Sequence, residues 1–178
     1  MYLYLMRHVE AEDLGSEGAT RDANRPLTEK GQRQARRVGK MLKHLDVSFD
    51  LAFTSPFARA RETAELVLEA MASDLKAKSL NELTPNSKDD AMWQAIARAD
   101  GSSVLVVGHL PSIGSLAGSL LGSLSEQPLR FHKGSLAVLR CDKGDRKPRV
   151  SLEWMLSPSV MKRLATRRTH GTDADENA

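Results

Sequence analysis

The sequence predicts an α/β sandwich around a mostly parallel sheet. Three observations point there. The segment Tyr2-Leu3-Tyr4-Leu5-Met6 is apolar at every position, as in a strand covered on both faces. Later apolar runs alternate with stretches of helical periodicity. The chain has 178 residues, 40% of them hydrophobic and 28% charged, enough for one domain with a substantial core.

After the first strand, Ala11 to Arg25 carries Gly, Ser, Asp, Asn and scattered charge without periodicity, so a mobile loop is expected. A helix is predicted from Thr28 to Leu45, because Val38, Met41, Leu42 and Leu45 repeat at i, i+3, i+4, i+7 and Thr28 suits an N-cap. The second strand covers Phe49 to Thr54. Ser55-Pro56 then places a capping hydroxyl before a proline at the first helical position. The stripe Ala60, Ala64, Val67, Leu68, Met71 carries that helix to about Ala72. Ser87 with Asp90 three residues later reads as a capping box opening a helix through Ala99. Val104 to Val107 is the third strand, and Pro111 opens a helix ending near Gly122. Ser135 to Arg140 and Val150 to Met155 are the last two strands; the polar turn between them, Asp142 to Pro148, fits either a hairpin or a continued sheet. Arg163 to Ala178 is polar without an apolar stripe, so a frayed tail is expected. The expected organisation is a single domain over 1–160 and a flexible tail over 161–178, with no repeat.

Composition excludes several classes. A balance of 26 basic against 23 acidic residues, net +3, demands neither a nucleic-acid nor a membrane partner. Aromatic residues make up 4%, too few for base stacking. The single Cys141 permits no intrachain disulfide and fits a reducing, cytoplasmic setting. No run approaches the ~20 apolar residues that span a bilayer. Arg7, His8 and Glu10 follow so soon after the start that no secretory leader is expected.

The chemistry gathers at strand ends. Met6-Arg7-His8 closes the first strand and Gly108-His109 the third. Arg59 and Arg61 stand one turn into the helix after the second. Ligands of open α/β sheets bind beyond the carboxyl ends of the strands. An arginine near a helix N-terminus opposes the macrodipole unless an anion sits there. Taken singly, each residue has a plain structural explanation, a ring packed after a strand or a solvated helix charge. Their convergence on one sheet edge does not. Asp89 and Asp90 complement a helix dipole, while His44 and His170 read as surface residues and His132 carries only a weak signal. Gly114, Gly118 and Gly122, with Ser115, Ser119 and Ser123, suggest close helix packing rather than a phosphate loop. The basic run Lys162 to Arg168 is offset by Asp173, Asp175 and Glu176.

Leu5-Met6-Arg7-His8 with Glu10, then Arg25-Pro26-Leu27-Thr28-Glu29-Lys30-Gly31 with Gln34-Ala35, resembles the opening of the histidine phosphatase (phosphoglycerate mutase-like) superfamily. Ser55-Pro56-Phe57-Ala58-Arg59-Ala60 with Glu62-Thr63-Ala64 is similar to its second motif, and Val106-Val107-Gly108-His109-Leu110-Pro111 to its third. The short length, Asn81-Glu82-Leu83-Thr84-Pro85 and Trp154-Met155-Leu156-Ser157-Pro158 resemble the SixA-type phosphohistidine phosphatases within it. The resemblance implies a three-layer α/β/α sandwich of phosphoglycerate mutase-like type. It implies His8 as nucleophile, with Arg7, Arg59 and His109 around the phosphoryl oxygens and no metal or cofactor. It places Glu82, or next Glu10, as proton donor. Arg25 and Arg21 are candidates to reach the phosphate or a protein substrate, although a solvated role is the first expectation for both. The implied activity is removal of a phosphoryl group from phosphohistidine on a protein, such as a histidine-phosphotransfer domain, by a cytoplasmic monomer. The alternatives are a phosphatase for small phosphate esters or sugar phosphates, and a non-catalytic phosphate-binding adaptor. One departure is Val9, where the family usually has Gly; its side chain is expected to crowd the backbone beside His8 and reduce activity.

Overall fold

Every side chain from Leu3 to Met6 in β1 (Tyr2–Arg7) is buried, because helices cover both faces of the sheet at this strand. The computed structural model describes residues 1–16, 19–122, 129–142 and 148–167. After β1 come α1 (Glu29–His44), β2 (Leu51–Thr54), α2 (Ala58–Met71), β3 (Lys78–Ser79), α3 (Asp89–Ala97), β4 (Ser103–Gly108), α4 (Ser112–Leu120), β5 (Leu136–Cys141), β6 (Val150–Leu156) and α5 (Pro158–Arg167). The six strands form one sheet in the order β3-β2-β4-β1-β5-β6. β1 to β4 run parallel, β5 runs antiparallel to β1, and β6 antiparallel to β5. The last two strands therefore pair with each other and also continue the sheet.

Alternation along the strands splits the core in two. Tyr4, Met6, Leu105 and Val107 face α1, α2 and Met161 of α5, whereas Leu3, Leu5, Val104 and Val106 face α3 and α4. This is the expected three-layer α/β/α arrangement. Each fully buried Leu or Met in these layers contributes about 1.5–3 kcal/mol. α1 and α2 approach so closely at Gly39 that a Cβ there would collide with the Val67 carbonyl. No described helix is long and apolar enough to cross a membrane.

Thr28 caps α1 as expected, accepting from Gly31 N–H at 2.9 Å. Two other helix starts differ. Ser55 N–H still bonds the Val107 carbonyl at 3.1 Å, so Ser55 continues the β2 ladder. The helix waits until Phe57, its N-cap, with Ser55 Oγ accepting from Phe57 N–H instead. Ser87 bonds Thr84 through its hydroxyl, leaving Lys88 as the N-cap of α3 and no capping box. Asp89, in the first turn of α3, accepts from Ser115 Oγ of α4 at 2.8 Å. Gly114 and Gly118 are buried in α4, while Gly122 (φ +68°) lies just past its end in the left-handed conformation. Ser123 and His170 lie outside the described residues, as do most of the turn after β5 and all residues beyond 167.

Two elements were not expected. β3 is a two-residue exposed edge strand. α5 runs through Arg163 to Arg167 across the boundary placed at 160/161, where a tail was expected. Met161 is 2% exposed and anchors it, but Val160 and Leu164 stay exposed, so no apolar stripe announces the helix. The described residues of the segment from Ala11 to Arg25, where a mobile loop was expected, are tied down by hydrogen bonds. Ala11 bridges Leu27, Glu12 N–H bonds the Pro26 carbonyl at 2.9 Å, and a 3-10 turn covers Asp22–Asn24.

Candidate active site

Parallel pairing of β1 with β4 sets Arg7 opposite Gly108, so the residues that follow, His8 and His109, leave the sheet side by side. His8 N–H bonds the Gly108 carbonyl at 3.0 Å, and the two ring centroids are 5.1 Å apart. β2 lies on the other side of β4, and the first turn of α2 brings Arg59 over the same edge, 5% exposed. Phe57 packs edge-on against His109 at 5.3 Å and lies under the Arg59 guanidinium at 5.1 Å. Thr63 ties α2 to the strand end. Its hydroxyl donates to the Arg59 carbonyl at 2.6 Å and accepts from Val9 N–H at 3.2 Å.

The polar atoms show what the arrangement suits. Arg7 Nε, Arg59 Nε and both ring nitrogens of His109 are buried without a hydrogen-bond partner. Buried donors left unpaired cost about 1–3 kcal/mol each, so such a cluster marks a place meant for an acceptor that arrives from outside. A phosphoryl group offers three oxygens for these donors. His8 is treated differently. Its Nδ1 lies 2.7 Å from the Val9 carbonyl, which can only accept, so the proton sits on Nδ1 and Nε2 keeps its lone pair.

Burial pushes the pKa of His8 down to about 3, with the charges of Arg59 and Arg7 acting in the same direction. Burial likewise lowers His109 to about 3, assisted by His8 and Arg59 and opposed by Asp22. Both rings are therefore neutral at pH 7. Below about pH 6.5 the unfolded chain takes up protons at both histidines that the folded site refuses until about pH 3. Stability is therefore expected to fall as pH drops through that window, and a bound phosphate, which favours the charged His109, to flatten the fall. Urea unfolding at successive pH values checks this. His109→Asn should remove about one proton from the slope, roughly 1.4 kcal/mol per pH unit.

The profile of the histidine phosphatase superfamily (branch 1) matches residues 3–84. The chain is 32% identical over 165 residues to the phosphohistidine phosphatase SixA of Escherichia coli, covering 91% of this chain and 97% of that one. The chain belongs to the histidine phosphatase superfamily. A SixA homolog of Haemophilus influenzae is 33% identical over 152 residues, covering 80% of this chain and 89% of the relative. The solved structure of the protein histidine phosphatase SixA complexed with tungstate superimposes with a TM-score of 0.76 at 32% identity, covering 89% and 98% of the two chains.

Within this histidine phosphatase, the structure brings together Arg7, His8, Arg59 and His109. Glu82 is not joined to them. It is exposed in the 3-10 turn Asn81–Leu83, with no hydrogen bond or ion pair to the cluster. Glu10 is spent elsewhere. It bonds Lys30 at 2.7 Å, and that bond holds its carboxyl below the ordinary carboxylate range. Arg61 is half-exposed and lies 3.8 Å from Glu65, and Arg21 is exposed. Arg25 does not touch the cluster directly; its Nε donates to the Glu12 carbonyl at 2.6 Å and its Nη1 to Asp22 at 3.0 Å. His132 and His44 are exposed. Among the described residues, no group of three or more His, Cys, Asp or Glu is placed to hold a metal ion.

Val9, which departs from the family's usual glycine, is accommodated in the core. Its side chain is fully buried in the core between β1 and α1, and facing it is Gly134. Gly134 adopts φ +81°, and its N–H is shared by the Arg7 and His8 carbonyls at 3.1 Å each. A Cβ at that position would lie 3.2 Å from Val9 Cγ1. The missing side chain at 134 makes the room that Val9 occupies. Sequence reading assigned no role to Asp22, Phe57, Thr63 or Gly134, although Phe57 and Thr63 lie in the second motif and Thr63, four residues after Arg59, shares its helix face.

Proposed function

We propose that the protein is a phosphohistidine phosphatase acting on a phosphorylated protein through a phospho-His8 intermediate, without a metal. The observation that carries this is the pairing of a neutral His8, its Nδ1–H held by the Val9 carbonyl, with buried, unpartnered nitrogens on Arg7, Arg59 and His109. In the first step the His8 Nε2 lone pair forms a bond to phosphorus while the bond to the leaving nitrogen breaks. A phosphorylated imidazole that carries a proton on its other nitrogen leaves as a neutral ring. In the second step water attacks phosphorus, the bond to Nε2 breaks, and phosphate departs with the water proton released to solvent. Arg7, Arg59 and His109 stabilise the charge on the equatorial oxygens throughout.

The exposed, unattached Glu82 favours this substrate over an alkyl ester, whose alkoxide needs a proton as it leaves. Arg7 also borders an open cleft of about 460 Å³ whose walls include His132, Lys133 and Ser157 and no carboxylate, room enough for a side chain presented on a protein surface. The deciding experiment is a side-by-side turnover assay on a phosphohistidine protein, free phosphohistidine and a panel of phosphate esters. The phosphohistidine protein is expected to win, and a clear preference for a sugar phosphate would overturn the reading. Exhaustive chelation should leave turnover intact, and vanadate should inhibit. Loss with EDTA and recovery with magnesium would refute the metal-free mechanism.

Glu82→Gln separates substrate classes further. The substitution should leave phosphohistidine and activated aryl phosphates nearly unaffected, and a loss of about 10²–10⁴-fold confined to alkyl phosphates would assign Glu82 the donor's part. Equal impairment on all substrates would assign Glu82 a structural part.

A further inference from the structure

We infer that Asp22 is a positioning residue, which grips the outer edge of the Arg59 guanidinium so that its Nε–H faces the phosphoryl seat; this rests on reading His8 as the nucleophile. Arg59 Nη1 donates to the Asp22 main-chain carbonyl at 2.7 Å, and Nη2 donates to Asp22 Oδ2 at 3.0 Å. Both contacts use the far nitrogens. The near one, Nε, is left buried and unpartnered. Arg7 follows the same scheme, with Nη1 on the Phe131 carbonyl at 3.0 Å and Nε unpartnered. Two arginines are thus held from behind, with the same atom of each left for the ligand.

A planar guanidinium bonded at two of its nitrogens cannot rotate about its own stem, so the direction of the third is fixed. The second oxygen of Asp22 extends the grip. Oδ1 accepts from Arg25, whose Nε is anchored on the Glu12 carbonyl, so Glu12 and Arg25 brace Arg59 through Asp22. Arg25 therefore acts two bonds away from the phosphate seat. Partial burial pushes the Asp22 carboxyl up, but the bonds and charges of Arg25 and Arg59 together hold it below its ordinary value. It stays ionised at neutral pH and is no proton donor. The rival reading is that Asp22 plugs the site as an internal anion. The contacts oppose this, because a plug would occupy Nε.

The test compares Asp22→Ala, Asp22→Asn, Arg59→Ala and the Asp22→Ala/Arg59→Ala double variant. Activity is read on whichever phosphate the enzyme turns over, together with equilibrium binding of inorganic phosphate and of vanadate. Asp22→Ala is expected to lower kcat by about 10²-fold with KM little changed, since a misplaced group costs chiefly in the transition state. Affinity for five-coordinate vanadate should fall more than affinity for phosphate. Asp22→Asn keeps an oxygen for Nη2 and should recover most of the loss. In the Arg59→Ala background, Asp22→Ala should add less than about twofold. An equal loss in both backgrounds, or tighter phosphate binding with unchanged or faster turnover in Asp22→Ala, would overturn the proposal. The binding arm does not depend on which substrate is physiological, so a wrong substrate class leaves this test standing.

Discussion

His8→Ala is expected to lose about 10⁴-fold or more in kcat, the largest effect of any single substitution. The reason is that no other group near the seat has an unprotonated nitrogen oriented by a second hydrogen bond. His109 has both nitrogens unpartnered, so nothing fixes which of them carries the proton. A rapid quench with labelled substrate should leave acid-labile, alkali-stable label on His8. Label on His109, or full turnover in His8→Ala, would remove the proposed intermediate.

The second large effect is expected at Arg59. Its side chain is 6% exposed, and its replacement by Ala removes a buried donor from the place where the proposed mechanism develops charge. Losses of about 10²–10³-fold in kcat follow from removing such a contact. Arg59→Lys should recover little, because a single ammonium cannot hold Asp22 at two points and still reach the phosphoryl oxygens. Two residues on, Arg61 points about 200° around the helix, half-exposed beside Glu65. Arg61→Ala should stay within about twofold, since an exposed pair of this kind is worth about 1 kcal/mol at most. Comparable losses at the two positions would contradict the observed rotation of α2.

The sheet and its two covering layers were legible because β1 and β4 are apolar at nearly every position, a pattern that only burial on both faces demands. The four clustered site residues were legible for a related reason. Parallel strands end together, so residues just past their ends share an edge wherever the crossovers lie. What escaped was held by tertiary contacts without a local pattern. Among the described side chains of α5, Met161 alone is buried, and β3 is two exposed residues on a sheet edge. Asp22 sits in an aperiodic segment 37 residues from its partner Arg59, and nothing local distinguishes it from other surface carboxylates. The proline after Ser55 suggested a helix start, but Ser55 still belongs to the ladder to β4 and the helix begins two residues later, at Ala58.

Val9 and Gly134 together limit how this enzyme can change by mutation. Any L side chain at 134 meets Val9, and also Pro158 Cγ at 3.3 Å, in a backbone conformation that glycine alone adopts freely. Trimming residue 9 to glycine first would relieve the contact with Val9, yet it would leave a void in the core and do nothing for the backbone at 134. Neither order of two single steps avoids a damaged intermediate. Drift at position 9 is thus confined to residues of about valine's size for as long as Gly134 holds the carbonyls of Arg7 and His8, and a library randomised at these two sites should return glycine at 134 in nearly every survivor.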